Sequence, residues 1–202
     1  MNSESWIDSF HRQSIGRIFV KVNEEFINNQ FNVFGIKKIA ELGDEAYEIL
    51  KSPLGSIDPS HKRKRDLENS LRLVYGIIHF RFLQTKIGQD KMHKKLMEKE
   101  FPSCPRVFCK DSVCLPYGID EELGKSTMKW YCPNCCDVYN PDNNELNSLD
   151  GAFFGHSWVH MFIGRYPDII SKSIQRVYVP KVYGFRMYRE KHEEEDDYSE
   201  ND

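Results

Sequence analysis

The chain has 202 residues, of which 40% are hydrophobic and 13% aromatic, so it has enough apolar material for a buried core and wholesale disorder is not expected. Its net charge of −3 argues for neither a nucleic-acid-binding protein nor a membrane-surface protein. The first residues lack the layout of a secretory signal, and no apolar run approaches the roughly 18 residues that span a bilayer. We therefore expect a soluble protein of the cytoplasm and nucleus. In these compartments thiols stay reduced, so clustered cysteines indicate a metal more often than disulfides.

Residues 1–100 are predicted to form a helical domain. Apolar residues recur at helical spacing in Lys37–Lys51, in about Lys64–Thr85 and in Gln89–Lys99, with Gly88 as the break between the last two. We interpret these apolar faces as a packed core and not as cofactor-binding surfaces.

The composition changes at Pro102, where Pro, Cys, Gly and aromatic residues become frequent, and we place a module boundary near residue 101. Within this module (101–165), Pro141–Gly151 is predicted to be an exposed loop. The next segment (166–189) is predicted to become extended from Arg176 onward. Alternation there would place three apolar side chains on one face, those of Tyr183, Phe185 and Met187. Residues 190–202 are acidic and are expected to be disordered.

The cysteines of the second module have the spacing of a zinc site. Zinc takes four ligands in a tetrahedron, and Cys132-Pro-Asn-Cys135 is a turn compact enough for both sulfurs to reach one ion. Backbone amides in such a turn point at the sulfurs. The other pair is ambiguous from spacing, because Cys104 to Cys109 and Cys109 to Cys114 are equally separated, and Cys136 competes with Cys135. The Cys-Pro start at Cys104 favours the first option, and the intervening loop has the length of a zinc ribbon.

Two other kinds of cysteine site fit less well. A redox Cys-x-x-Cys would need a strand–helix setting that is not predicted around Cys132. A catalytic zinc would have three protein ligands, usually with His or a carboxylate. His156 and His160 lie four residues apart, but the glutamate of the metalloprotease motif is missing. We therefore expect both histidines to pack among Phe153, Phe154, Trp158 and Phe162.

Five segments in order carry a resemblance to a known family: YGIIHFRFLQTKIGQDKM, CPRVFC, KWYCPNCCDVY, DGAFFG and VPKVYGF. Together, from about Trp6 to Tyr188, they resemble the regulatory beta subunits of casein kinase II. The resemblance implies an α+β fold, with an all-helical N-terminal domain, a four-cysteine zinc ribbon and an extended C-terminal segment. It implies one structural Zn²⁺ bound by Cys104, Cys109, Cys132 and Cys135, with Cys114 and Cys136 left out.

The resemblance also implies partners. The zinc module (101–165) would form a homodimer that carries two catalytic alpha subunits, and segment 166–189 would contact them through Tyr183, Gly184 and Phe185. The chain itself should not be an enzyme, since it has no glycine-rich phosphate loop, His-Arg-Asp motif or Asp-Phe-Gly motif. A nucleic-acid-binding zinc ribbon is the alternative, but residues 101–165 carry five Lys and Arg against eight Asp and Glu, whereas a ribbon that approaches phosphates should be basic.

The chain departs from the family pattern in its charges. Where relatives carry an acidic loop, residues His61–Arg65 read HKRKR. Residues 60–99 have eleven Lys and Arg against four Asp and Glu, and residues 190–202 have one against eight. We therefore hypothesise that the acidic segment docks on, or competes for, the basic loop. Phosphorylation is expected at Ser199, which acidic residues follow, more than at Ser5, which has only Asp8 nearby.

Overall fold

Helices occupy the first half of the chain in the computed structural model, which describes residues 4–58, 60–109, 112–170, 179 and 181–187. The helices are α1 (Trp6–Arg12), α2 (Glu24–Asn28), α3 (Gly43–Lys51), α4 (Lys64–Leu83) and α5 (Lys86–Met97). Two 3₁₀ turns, Gly16–Ile18 and Ile36–Ile39, lie between them. None of the described helices is both long and apolar enough to cross a membrane.

Helix α4 lies at the centre of this half of the chain. The apolar stripe that the sequence predicts along it is almost wholly buried and consists of Leu67, Leu71, Val74, Tyr75, Ile78 and Phe82. Burial of one large apolar side chain stabilises a fold by about 1.5–3 kcal/mol. The stripe on α4 therefore supplies much of the stability of the helical half.

Two helix boundaries differ from the sequence predictions. The predicted helix Lys37–Lys51 is divided into the 3₁₀ turn and α3, where the backbone of Gly43 approaches the carbonyl of Lys37 too closely for any side chain at that position. The predicted break at Gly88 was also wrong, because α5 already begins at Lys86. Thr85 is its N-cap, and its hydroxyl accepts a hydrogen bond from the Gly88 amide (3.1 Å).

The second half of the chain begins with a small antiparallel sheet. Its strands are β1 (Leu115–Tyr117), β2 (Lys129–Cys132) and β3 (Asp137–Tyr139), in the order β1-β2-β3. Leu115 pairs with Tyr131, and Trp130 pairs with Tyr139. The described part of the chain is thus a mixed helix and sheet structure.

Two further helices and two 3₁₀ turns follow the sheet. They are α6 (Asn144–Asn147), the turn Gly151–Phe153, α7 (Ser157–Arg165) and the turn Pro167–Ile169. The predicted loop 141–151 therefore contains one turn of helix, which Asn143 caps with its side chain.

A buried contact joins α4 to the second half of the fold. His79 Nδ1 lies 2.9 Å from the Phe153 carbonyl oxygen, while its Nε2 accepts a hydrogen bond from the Val20 amide (3.1 Å). Since the amide can only donate, Nδ1 carries the proton and donates to Phe153. Gly76 lies directly under the Phe153 ring, where an added Cβ would come within 2.6 Å of three ring carbons.

One buried histidine, His79, and one half-buried histidine, His11, make the stability of the fold depend on pH. Burial lowers the pKa of His79 to about 3 and that of His11 to about 4, from an ordinary value near 6.5. Between pH 6.5 and these lowered pKa values, the unfolded chain therefore binds protons that the folded chain does not bind. The free energy of unfolding falls as the pH falls through this range. We expect each histidine to lower the free energy of unfolding by about 1.4 kcal/mol per pH unit in this range.

Urea denaturation at pH 7, 6 and 5 measures this effect, with His11→Gln as the comparison. His11 Nε2 lies 2.7 Å from the Tyr75 hydroxyl, and a glutamine amide can hydrogen-bond there without titrating. The variant should lose about 1.4 kcal/mol less per pH unit than the wild type between pH 6 and 5. Loss of any cysteine-bound metal at low pH affects both proteins alike, so equal slopes would contradict a half-buried, neutral His11.

Candidate metal centre and partner segment

Four cysteine sulfurs converge at one end of the small sheet. The Sγ atoms of Cys104, Cys109, Cys132 and Cys135 all lie within 4.8 Å of one another, and those of Cys104 and Cys135 are 3.8 Å apart. A disulfide would need about 2.0 Å. Sulfurs that surround one zinc at about 2.3 Å in a tetrahedron are about 3.8 Å apart. The cluster therefore has the dimensions of a four-thiolate metal site and could hold a metal ion such as zinc.

Two turns position these sulfurs. In the first, the Cys104 amide donates to the Ser112 carbonyl (2.7 Å), and a 3₁₀ turn, Val107–Cys109, carries the second sulfur inward. In the second, β2 ends at Cys132 and the Cys136 amide donates to the Cys132 carbonyl (2.9 Å). Cys136 has φ +55°, an uncommon value outside glycine, and it closes this turn.

Hydrogen-bond donors surround the sulfurs. Asn134 Nδ2 donates to Cys109 Sγ (3.5 Å), and the Arg106 amide donates to Cys104 Sγ (3.5 Å). The Tyr139 hydroxyl lies 3.2 Å from Cys135 Sγ. Such donors orient thiolate ligands and offset their negative charge. The cysteine spacing does not predict the donors Asn134 and Tyr139, although Asn134 lies inside the Cys-Pro-Asn-Cys turn and Tyr139 lies four residues beyond it.

The pKa values of the clustered thiols are strongly perturbed. A hydrogen bond from Cys114 lowers the pKa of Cys132 to about 4, and the amides of Asn134 and Cys135 add to this effect. Burial raises the pKa of Cys109 to about 12 and also raises that of Cys104. Metal ligation requires thiolates, so uptake of a divalent cation here would release protons and would weaken as the pH falls.

The other two cysteines lie outside the cluster. Cys114 is buried beside Cys132, and Cys136 is exposed, with its Sγ 3.8 Å from the Pro133 carbonyl oxygen. The structure thus groups the four cysteines that the family resemblance implies, where spacing alone left Cys114 and Cys136 as competitors. Four sulfurs fill a tetrahedron, which leaves no open position for substrate and is typical of a structural metal.

The expected packing of His160 on α7 among Phe153, Phe154, Trp158 and Phe162 was wrong. This helix buries Trp158, Val159 and Phe162, and His160 lies on the opposite, exposed face. His156 is half-buried at the start of the helix, with Nδ1 3.5 Å from a Glu121 oxygen. Neither histidine joins the sulfur cluster.

The segment expected to contact a partner is a hairpin and not one extended strand. Its strands are β4 (Lys181–Val182) and β5 (Phe185–Arg186), in which Val182 pairs with Phe185. Tyr183 (φ +51°) and Gly184 (φ +87°) form the two-residue turn between them, as required for a type I′ hairpin. Phe185 therefore shares its face with Val182, and the predicted alternation of Tyr183, Phe185 and Met187 along one strand does not hold.

The hairpin exposes its aromatic side chains. Tyr183 is 97% exposed and Phe185 is 79% exposed, beside a strongly exposed Val182. Large apolar side chains that no other described residue covers are typical of a partner-binding surface. The remainder of the predicted extended stretch, 176–178, 180 and 188–189, lies outside the described residues.

The two predicted phosphorylation sites differ in their setting. Ser5 is buried as the N-cap of α1, where its hydroxyl accepts from the Asp8 amide (3.1 Å) and donates to the Asp8 carboxylate (2.7 Å). Ser199 lies, with the whole predicted tail 190–202, outside the described residues.

Comparison with known proteins gives one consistent result. A family model described as the casein kinase II regulatory subunit matches residues 5–186. The chain is 34% identical to casein kinase II subunit beta of Dictyostelium discoideum, over 92% of this chain and 69% of that protein. It is 36% identical to casein kinase II subunit beta' of Drosophila melanogaster, over 93% of this chain and 85% of that protein. The subunit beta of Schizosaccharomyces pombe is 33% identical, over 93% and 80% of the two chains.

Proposed function

The chain belongs to the casein kinase II regulatory subunit family, and from this premise we propose that it forms a zinc-stabilised homodimer that carries two catalytic alpha subunits. Members of this family are not catalytic, so the chain regulates a kinase and is not one itself. In this role it stabilises the catalytic subunits and modifies the choice of substrates.

The four-cysteine cluster is the observation that carries this proposal. A zinc ion held by all four sulfurs ties the turn at Cys104–Cys109 to the β2–β3 turn and so makes the ribbon module (101–165) rigid. This module exposes several large apolar side chains, which a dimer would cover: Val107, Ile119, Val138 and Met161. We place the dimer interface on the module for this reason.

The exposed hairpin supports the second part of the proposal. The two-residue turn presents Tyr183 and Phe185 outward, and a hairpin that is already formed loses less chain entropy on binding than an unordered segment would. Aromatic anchors of this kind dominate the binding energy of many interfaces. We assign the hairpin to the contact with the catalytic subunit.

Light scattering on the purified chain tests the dimer. One chain has a mass of 23.8 kDa, so we expect about 48 kDa for the zinc-loaded protein, twice the mass of a single chain. A particle of one chain at micromolar concentration, with one zinc bound per chain, would contradict dimerisation through the metal module.

We make two further proposals, one for the phosphorylation of the subunit and one for its location in the cell. Ser199 is proposed as the phosphorylated serine, because Glu200 and Asp202 follow it while the Ser5 hydroxyl is engaged with Asp8. Phosphopeptide mapping of the assembled kinase tests this, and an unmodified Ser199 would overturn it. We also propose that the subunit occurs in both cytoplasm and nucleus, for which the exposed basic run at 62–65 is the supporting feature.

A further inference from the structure

An apolar groove lies on the helical half of the fold, away from the cysteine cluster. Its volume is about 830 Å³, and the residues that form it include Phe26, Phe31, Phe34, Arg81, Gln84 and Thr85. Phe31 is 87% exposed and Phe34 is 82% exposed. Packing of the helices does not require either ring, so both are available to a ligand.

The loop that carries these rings is held in place. Val33 and Ile36 point inward and are buried, which turns Phe31 and Phe34 outward. Arg81 Nη1 on α4 donates to the carbonyls of Asn32 (2.8 Å) and Phe34 (3.0 Å).

Side-chain amides complete the support of this loop. Asn32 Nδ2 donates to the Phe26 carbonyl (3.2 Å), and Asn29 Oδ1 accepts from the Phe31 amide (3.0 Å). A rigid groove binds with a smaller entropy cost than a mobile loop.

The charges in the segments that form the groove are all positive. Residues 26–40 and 79–89 contain no Asp or Glu, and their charged residues are Lys37, Lys38, Arg81 and Lys86. Lys37 faces Asp44 (3.6 Å) and Glu48 (3.9 Å) on α3. Lys38 and Lys86 are exposed and form no ion pair within the described residues. The groove therefore suits an acidic peptide that carries one apolar anchor.

We propose that the acidic segment 190–202 of this same protein docks in the groove, with Tyr198 between Phe31 and Phe34. The segment carries eight acidic residues against one lysine, and Tyr198 is its only aromatic residue. Tyr198 follows Met187, the last described residue, by eleven positions. An extended chain of that length reaches about 40 Å, which is about the diameter of a domain of this size. The docked segment would exclude other acidic peptides from the groove.

The basic loop His61–Arg65 is a poorer site for this segment. His61 faces Glu45 (2.9 Å), and Arg63 donates to Glu41 (2.5 Å) and Asp66 (2.9 Å). The small cavity beside the loop is lined by further carboxylates and offers no aromatic side chain. Lys62, Lys64 and Arg65 remain exposed, but exposed charge alone gives weak attraction that salt screens.

Binding of a fluorescein-labelled peptide of residues 188–202 tests the proposal by anisotropy. The protein is the full chain with a neutralised acidic segment, which carries E193Q, E194Q, E195Q, D196N and D197N. We expect saturable binding to this protein and at least tenfold weaker apparent binding to the wild type, whose own segment occupies the groove. Phe31→Ser with Phe34→Ser in the neutralised chain should weaken binding at least tenfold.

Two controls distinguish binding in the groove from non-specific apolar contact and from attraction to the basic loop. Leu54→Ser removes another strongly exposed apolar side chain and should leave the affinity unchanged. The triple variant K62Q, K64Q and R65Q removes the cations of the basic loop that form no ion pair with the other described residues, and it should weaken binding less than threefold. Absence of peptide binding would overturn the proposal, as would a larger loss in the triple variant or full affinity of a Tyr198→Ala peptide. A change of the groove variant from dimer to monomer would also overturn it, by assigning the groove to contact between copies. Kinase assembly is measured separately and does not depend on this result.

Discussion

Replacing Cys132 with serine is expected to abolish zinc binding and to convert the proposed dimer into single chains. Cys132 is fully buried, and its sulfur receives hydrogen bonds from the amides of two following residues, so a serine hydroxyl cannot replace the thiolate. Structural zinc sites supply about 10–16 kcal/mol of apparent binding free energy, which is also folding free energy of the module. Loss of the dimer should come first, and association with the catalytic subunit should be lost as a consequence.

Metal analysis and light scattering measure the two effects together. The zinc content should fall from one ion per chain to none, and the mass should fall to that of one chain. Cys136→Ser is the matched control, because this neighbouring cysteine is exposed and outside the cluster. It should keep both the ion and the dimer. A Cys132→Ser protein that remains dimeric without zinc would show that the metal does not hold the interface.

Removing the aromatic side chains of the hairpin should have the second large effect. Tyr183→Ala and Phe185→Ala are each expected to weaken binding of the catalytic subunit by about 2 kcal/mol, or ~30-fold, as is usual for aromatic anchors at the centre of an interface. Both side chains are exposed, so neither change should affect the zinc content or the dimer. Isothermal titration of each variant with the catalytic subunit gives the affinities.

Phe31→Ala provides the control for this titration. It removes an aromatic ring of comparable exposure from the groove on the helical half, and it should leave the affinity for the catalytic subunit unchanged. If Phe31→Ala weakens the kinase complex as much as Phe185→Ala does, the hairpin is not the specific contact.

Local sequence patterns predicted the helices better than they predicted where the helices end. The stripe along α4 was predicted correctly because a buried helix face repeats every three to four residues. The start of α5 depends on one hydrogen bond, from the Gly88 amide to the Thr85 side chain, and periodicity carries no information about it. Glycine content suggested Gly88 instead, although that residue lies inside α5.

Local sequence patterns also failed to predict the hairpin. The alternating apolar residues Tyr183, Phe185 and Met187 resemble one strand, and only the Tyr183-Gly184 pair signals a turn. A tyrosine with positive φ is uncommon, so the turn was not predicted from that pair.

The grouping of the four cysteines depends on information that spacing does not contain. Four residues lie between Cys104 and Cys109 and four between Cys109 and Cys114, so either pair could close a turn. The Cys114 amide donates a hydrogen bond to the Pro102 carbonyl (2.8 Å), and the Cys114 sulfur lies beside the cluster and not in it. Tertiary hydrogen bonds of this kind decide which thiols meet, and the family resemblance anticipated the result where spacing could not.

Assembly with a catalytic subunit tests the central claim most directly. The zinc-loaded chain is mixed with the catalytic alpha subunit of casein kinase II, and the mass of the complex is measured by native mass spectrometry. We predict a complex of two chains of each kind, which the double variant Tyr183→Ala and Phe185→Ala fails to form. Failure of the wild-type chain to form any complex, with the hairpin intact and zinc bound, would contradict the proposed function.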